Sequence, residues 1–105
     1  MSRPRTTGRR SVSGAPTLVF VTKSTSGPAR RMESLIARIA WREKQRMSVV
    51  VVDVDREPRL ARKLAVSAVP ALVLLVGRRA VEHLEGPVSG AEIDQMLSRH
   101  LSVDA

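Results

Sequence analysis

Leu18-Val-Phe-Val21, then Lys23-Ser-Thr-Ser-Gly-Pro28, then the periodic run that continues to Arg46 decides the fold. Leu18 to Val21 is a short, continuous apolar run rich in β-branched residues, the pattern of a buried strand. Lys23 to Pro28 is a turn whose Ser and Thr hydroxyls can cap a helix. Proline suits the first helical turn, because the N–H it lacks would have had no partner there. Beyond it Met32, Leu35, Ile36, Ile39 and Ala40 recur at helical spacing. A strand, a capped turn and a helix in that order open an α/β fold.

Working outward, Val49 to Val54 reads as a second buried strand, broken only by Asp53. Asp55 is placed to cap a short helix that buries Leu60 and Leu64. Ala71 to Val76 is a third strand. Gly77-Arg78 marks a tight turn, and Ala80 to Glu85 returns as a fourth strand with Val81 and Leu84 facing in. Ser89-Gly-Ala-Glu92 is a capping box opening a helix that buries Ile93, Met96, Leu97 and Leu101. The order is β-α-β-α-β-β-α. It predicts a mixed four-stranded sheet flanked by helices, with the first three strands covered on both faces.

A chain of 105 residues makes one domain. Residues 17–105 read as that domain. Residues 1–16, rich in Arg, Ser, Thr and Gly, read as a flexible basic tail that is disordered. Trp41 and Phe20 are the only aromatics, so the core must be aliphatic. The chain has no cysteine, which excludes disulfide frameworks, thiolate metal sites and every thiol mechanism. His83 and His100 lack metal-ligand spacing, and neither a metal nor a cofactor is expected. Arg9-Arg10 is followed by an apolar stretch too short for an export signal, and the tail lacks the apolar face of a mitochondrial presequence. No apolar run reaches the ~20 residues that span a bilayer, so no membrane association is expected. The expected setting is the cytoplasm.

The net charge of +8 is uneven. Residues 1–46 carry a balance of +9 and residues 47–105 a balance of −1. Fifteen of the 18 basic residues are Arg, a bias suited to bidentate contact with phosphate or carboxylate and equally consistent with a coding preference for Arg.

Three local sequences, in this element order, resemble the thioredoxin family over roughly Thr17 to Leu101. Thr25-Ser-Gly-Pro-Ala-Arg30 lies between strand and helix, where the family carries Trp-Cys-Gly-Pro-Cys-Lys. Val54-Asp-Arg-Glu-Pro58, followed by Leu60-Ala61 and Val66, is similar to the family's passage from a strand into the next helix. Ala68-Val-Pro-Ala-Leu72 matches the family's hydrophobic residue before a cis-proline, and Gly86 falls at its glycine near the active-site rim. The tail stands where the family's opening strand and helix lie, which implies a minimal thioredoxin-like core.

The departures bear on function. Family chemistry needs a thiolate with a lowered pKa at the helix start and a second, resolving thiol. Those positions are Ser26 and Ala29, which leaves no catalytic residue. The tryptophan before the first Cys is Thr25, the buried proton-shuttling acid aligns with Phe20, and the helix-kinking proline aligns with Ser34. The resemblance therefore implies a redox-inactive, cysteine-free member rather than an enzyme. It also implies a shallow groove for extended peptides lined by Thr25, Ser26, Gly27, Pro28, Val69 and Pro70, with Pro70 cis. The alternative is that these residues serve only the turn, the helix cap and the bend.

At 100° per residue Trp41 falls opposite the apolar face of its helix, with Arg30, Arg31, Arg38, Arg42 and Gln45 on the same outward half. Trp and Arg are favoured at binding hot spots. Alternatively Trp41 packs under the tail, against the last helix or in a homodimer. The leading functional expectation is a non-catalytic, protein-binding adaptor or accessory subunit whose partner is another protein. The second is a basic accessory factor for RNA, DNA or a ribonucleoprotein, although the scarcity of aromatics denies it a stacking platform.

Overall fold

The computed structural model describes residues 15–101. Its elements are β1 (Thr17–Thr22), α1 (Gly27–Arg42), β2 (Ser48–Asp53), α2 (Pro58–Lys63), β3 (Ala71–Val76), β4 (Arg79–Glu85) and α3 (Gly90–Ser98). They form the expected β-α-β-α-β-β-α order around one mixed sheet with strand order β2-β1-β3-β4. β1 runs parallel to β2 and antiparallel to β3, and β3 and β4 form a hairpin. Apart from Ala15 and Pro16, the basic tail expected over 1–16 lies outside the described residues. Pro16 is buried, and its carbonyl accepts the Ser48 N–H at 3.0 Å.

Strand alternation sorts the core into two layers. Leu18, Phe20, Leu72 and Leu74 point to one face, where Met32, Ile36 and Ile39 of α1 and Ile93, Met96 and Leu97 of α3 cover them. Val19, Val21, Val52, Ala71 and Val73 point to the other, where Leu64 packs against them. Phe20, at 1% exposed, is the largest side chain in this aliphatic interior. Ser26 caps α1, its Oγ accepting the Ala29 N–H at 3.1 Å. Ser89 and Glu92 make both bonds of the expected capping box on α3.

Four local expectations need correction. β2 is an edge strand, so its apolar run is not covered: Val50 is 43% and Val51 56% exposed. Asp55 does not cap α2. The helix starts at Pro58 with Glu57 at the cap position, while Asp53 Oδ1 accepts the Asp55 N–H at 2.8 Å. Leu60 faces outward, and Ala61 and Leu64 are the residues α2 buries. Val81 is also outward, because the β3–β4 register slips between Leu74 and Leu75. Only Leu84 of that strand's two expected core residues packs against the core.

Candidate functional site

The rim where the peptide groove was expected is built by two turns. In the first, Lys23 C=O accepts the Ser26 N–H at 2.9 Å, which sets Ser26 as the cap and Pro28 in the first turn of α1. Thr25 and Gly27 are exposed, Ser26 and Pro28 half-buried, and Ala29 wholly buried. The Ser26 hydroxyl is thus engaged with the helix backbone. Among the described residues no histidine is bonded to it that could act as a base: His83 lies against Leu64 O and His100 against Glu82.

In the second turn the Val69–Pro70 peptide is cis, as the resemblance implied. Pro70 is buried, and its carbonyl accepts the Gly86 N–H at 2.8 Å. Gly86 has φ 86°, a conformation that side chains with a Cβ rarely adopt. Among the described residues the Val69 N–H and C=O have no hydrogen-bond partner. Beside Val69 a cleft of about 320 Å³ is walled by Val54, Ala61, Val66 and Ala68, with Arg62 at its side. Next to it the Glu85 carboxylate accepts both the Ser67 N–H, at 3.1 Å, and the Ser67 hydroxyl, at 3.0 Å.

Under the rim, the place expected for an acid is filled by the buried ring of Phe20. Two buried polar groups were not anticipated from sequence. Thr22, at the end of β1, is buried, and its hydroxyl has no partner among the described residues. Glu43 is buried just past α1, its carboxylate receiving Arg42 Nε at 2.8 Å and Arg46 Nη2 at 2.7 Å. Burial pushes the Glu43 carboxyl up, but the bonds from Arg42 and Arg46 outweigh it and hold the group below the usual carboxylate range. A buried acid just after a helix with cations on both sides was the available signal.

The outer face of α1 carries Trp41, 72% exposed, with Lys44 Nζ 3.6 Å from its ring centroid. Arg30, Arg31 and Arg38 are exposed and have no ion-pair partner among the described residues. Arg42 differs, because it bridges Glu43 and, across to α3, Asp94. Its guanidinium is held more basic by those bonds, and it ties α1 to α3. The rim residues and Trp41 therefore form separate surfaces, one at the start of α1 and one near its end. Among the described residues no group of acids and histidines could hold a metal, and no helix is long and apolar enough to cross a membrane.

The thioredoxin family model matches residues 10–99. Thioredoxin 1 of a Nostoc species is 28% identical over 89 residues, covering 85% of this chain and 83% of that protein. A thioredoxin-like protein of a Synechocystis species is 30% identical over 86 residues, covering 82% of this chain and 79% of its own length. The crystal structure of Fasciola hepatica thioredoxin superposes with a TM-score of 0.78 at 23% identity, covering 84% of this chain and 83% of that one.

Proposed function

The chain belongs to the thioredoxin family, and from that premise we propose that it is a non-catalytic, cytoplasmic member that binds an extended segment of a protein partner beside Val69. Disulfide exchange needs a thiolate to attack and a second thiol to resolve. With no cysteine in the chain, and with Ser26 and Ala29 at the helix start, neither step has an agent here.

The observation that carries the binding reading is the backbone of Val69. Its N–H and C=O are unpartnered among the described residues and open beside an apolar cleft. An extended peptide can add its own backbone to such a pair, while its side chains enter the neighbouring pocket. Arg62 at the cleft and Arg30 and Arg31 on the first two turns of α1 favour a segment carrying acids.

The test is selection of peptides from a displayed random library by the full chain, followed by amide chemical-shift mapping. The reading expects acidic, extended sequences that shift Val69, Ala68 and the residues from Thr25 to Ala29, and that lose binding in Arg62→Glu. Shifts confined to the Trp41 face, or selection of no peptide at all, would sink it. Retention on the protein of only nuclease-sensitive material would favour the nucleic-acid alternative. Disulfide reduction by the unmodified chain would contradict the loss of redox activity.

A further inference from the structure

The rim is not the only place where this molecule leaves backbone unpaired. β2 closes one side of the sheet. Its even-numbered residues turn their backbone toward β1, since the Ser48 N–H reaches Pro16 O and the Val54 N–H reaches Thr22 O, each at 3.0 Å. By strand alternation Val49, Val51 and Asp53 turn theirs outward. Among the described residues nothing pairs with that outer row, apart from the Asp53 carbonyl, which accepts the N–H groups of Arg56 and Glu57. The side chains beside it, Val50 on the α2 face and Val51 on the α1 face, are exposed. Sheet edges are ordinarily blunted by charges, proline or bulges. Ser48-Val-Val-Val-Val-Asp53 has no proline, no bulge and no charge before its last residue.

We propose that β2 pairs antiparallel with β2 of a second copy of this chain, joining two four-stranded sheets edge to edge. The occupant follows from self-complementarity. With the two-fold axis at Val50, Val49 and Val51 exchange N–H···O=C bonds with the partner's Val51 and the partner's Val49, using the outward row on both sides. Val50 meets the partner's Val50 on one face, and Val49 and Val51 cover each other's counterparts on the other. Charge selects the orientation. Lys44 and Arg46 precede the strand, Arg46 already bonded to Glu43, while Asp53 and Asp55 follow it with Arg56 just beyond, so antiparallel pairing sets the more acidic end of each strand beside the more basic end of the other. Parallel pairing would set like against like. A six-residue edge falls short of the ~1,200 Å² typical of stable interfaces, so the association is weak and concentration-dependent.

The test uses the full chain and exploits its lack of cysteine. Sedimentation of the wild type from about 5 to about 500 µM should show a monomer passing into a dimer, a weak-affinity range. In Val50→Cys the two thiols face each other across a non-hydrogen-bonded pair about 4.5 Å apart at Cα, within disulfide reach. In Val51→Cys the thiol is at least as exposed, but its symmetry mate is beyond the ~7 Å limit. In a glutathione redox buffer the disulfide-linked dimer of Val50→Cys should exceed that of Val51→Cys by about tenfold or more, an estimate from that difference in reach. Equal yields from the two variants would overturn the proposed register. A wild type that stays monomeric throughout would overturn the dimer. That second result is also the one expected if residues 1–14 of the same chain cover the edge.

Discussion

The two edges of the sheet are built from opposite materials. β4 mixes its apolar residues with Arg79, Glu82, His83 and Glu85, and a register slip opposite Leu74 and Leu75 interrupts it. Its polar side chains are also tied down. Glu82 bonds Arg99 and His100 of the segment after α3, Glu85 bonds Ser67, and His83 Nε2 lies 3.1 Å from Leu64 O. β2 is four valines in a row with no such device. One edge is therefore closed to pairing by charge and bulge, and the other is an apolar, regular template. A strand's hydrophobicity does not by itself report whether it lies inside a sheet or at its border.

The largest expected effect removes the support common to both edges. β1 holds β2 on one side and β3, with β4 behind it, on the other. Phe20→Ala should cost about 3–5 kcal/mol, because a buried ring leaves a cavity that close-packed neighbours cannot fill. Thermal or urea unfolding would measure it. Loss of less than about 1 kcal/mol would mean that Phe20 is not the centre of the core.

Next in size is Glu43, which lies at the approach to β2. Glu43→Gln leaves Arg42 and Arg46 without their carboxylate in a site where the acid is 8% exposed. The expected loss is about 1–3 kcal/mol. The Glu43 carboxyl is held below its usual range in the fold. Its stabilisation is therefore complete above the pH at which an unfolded carboxyl titrates, and it disappears as the pH falls through the lower, folded value. Glu43→Gln should flatten the acid limb of the stability curve, and an unchanged limb would remove Glu43 from this role. On the β4 side Glu82 is also held low, chiefly by its bond from Arg99 and then by that from His100. It follows the same sign. Glu82→Gln should cost less, about 0.2–1 kcal/mol, because Arg99 is half exposed and screened.

Local chemistry was the legible part of this chain. Ser89 and Glu92 announced a capping box, Ser26 and Pro28 announced the start of α1, and both read directly because their partners lie within one turn. The helical phase of Trp41 put it outward, where it stands. Features set by distant neighbours were not legible. Val50 and Val51 looked buried because periodicity counts apolar residues and does not see which strand lies alongside. Val81 looked buried because it is an apolar residue in a strand, whereas a register slip, invisible in the sequence, leaves it opposite no residue of β3. Asp55 competed for one cap with Asp53 and Glu57, and Pro58 fixed the helix start in favour of Glu57. At the rim, the position of Pro70 and the loss of thiols at Ser26 and Ala29 were legible through family resemblance. That the Val69 backbone has no partner among the described residues was not, because it depends on where the pairing of β3 begins, at Ala71.

The smallest expected change in stability gives the sharpest comparison of the edges. Val51→Lys places on β2 the kind of residue β4 already carries. Val51 is more than half exposed, and a lysine stem can lie along the strand while its ammonium reaches water. Stability should stay within about 0.5 kcal/mol of wild type. Association at the edge should nevertheless be lost, because each lysine would replace the valine that covers the partner's Val49 and so put a charge into both apolar contacts on that face. Unfolding curves and sedimentation, run on the same variant, separate these effects. A variant as stable as wild type that still dimerises would show that the open edge of β2 is not where two chains meet. A variant that unfolds would show that Val51 supports the core beneath it, and that its exposure understates its packing against α1.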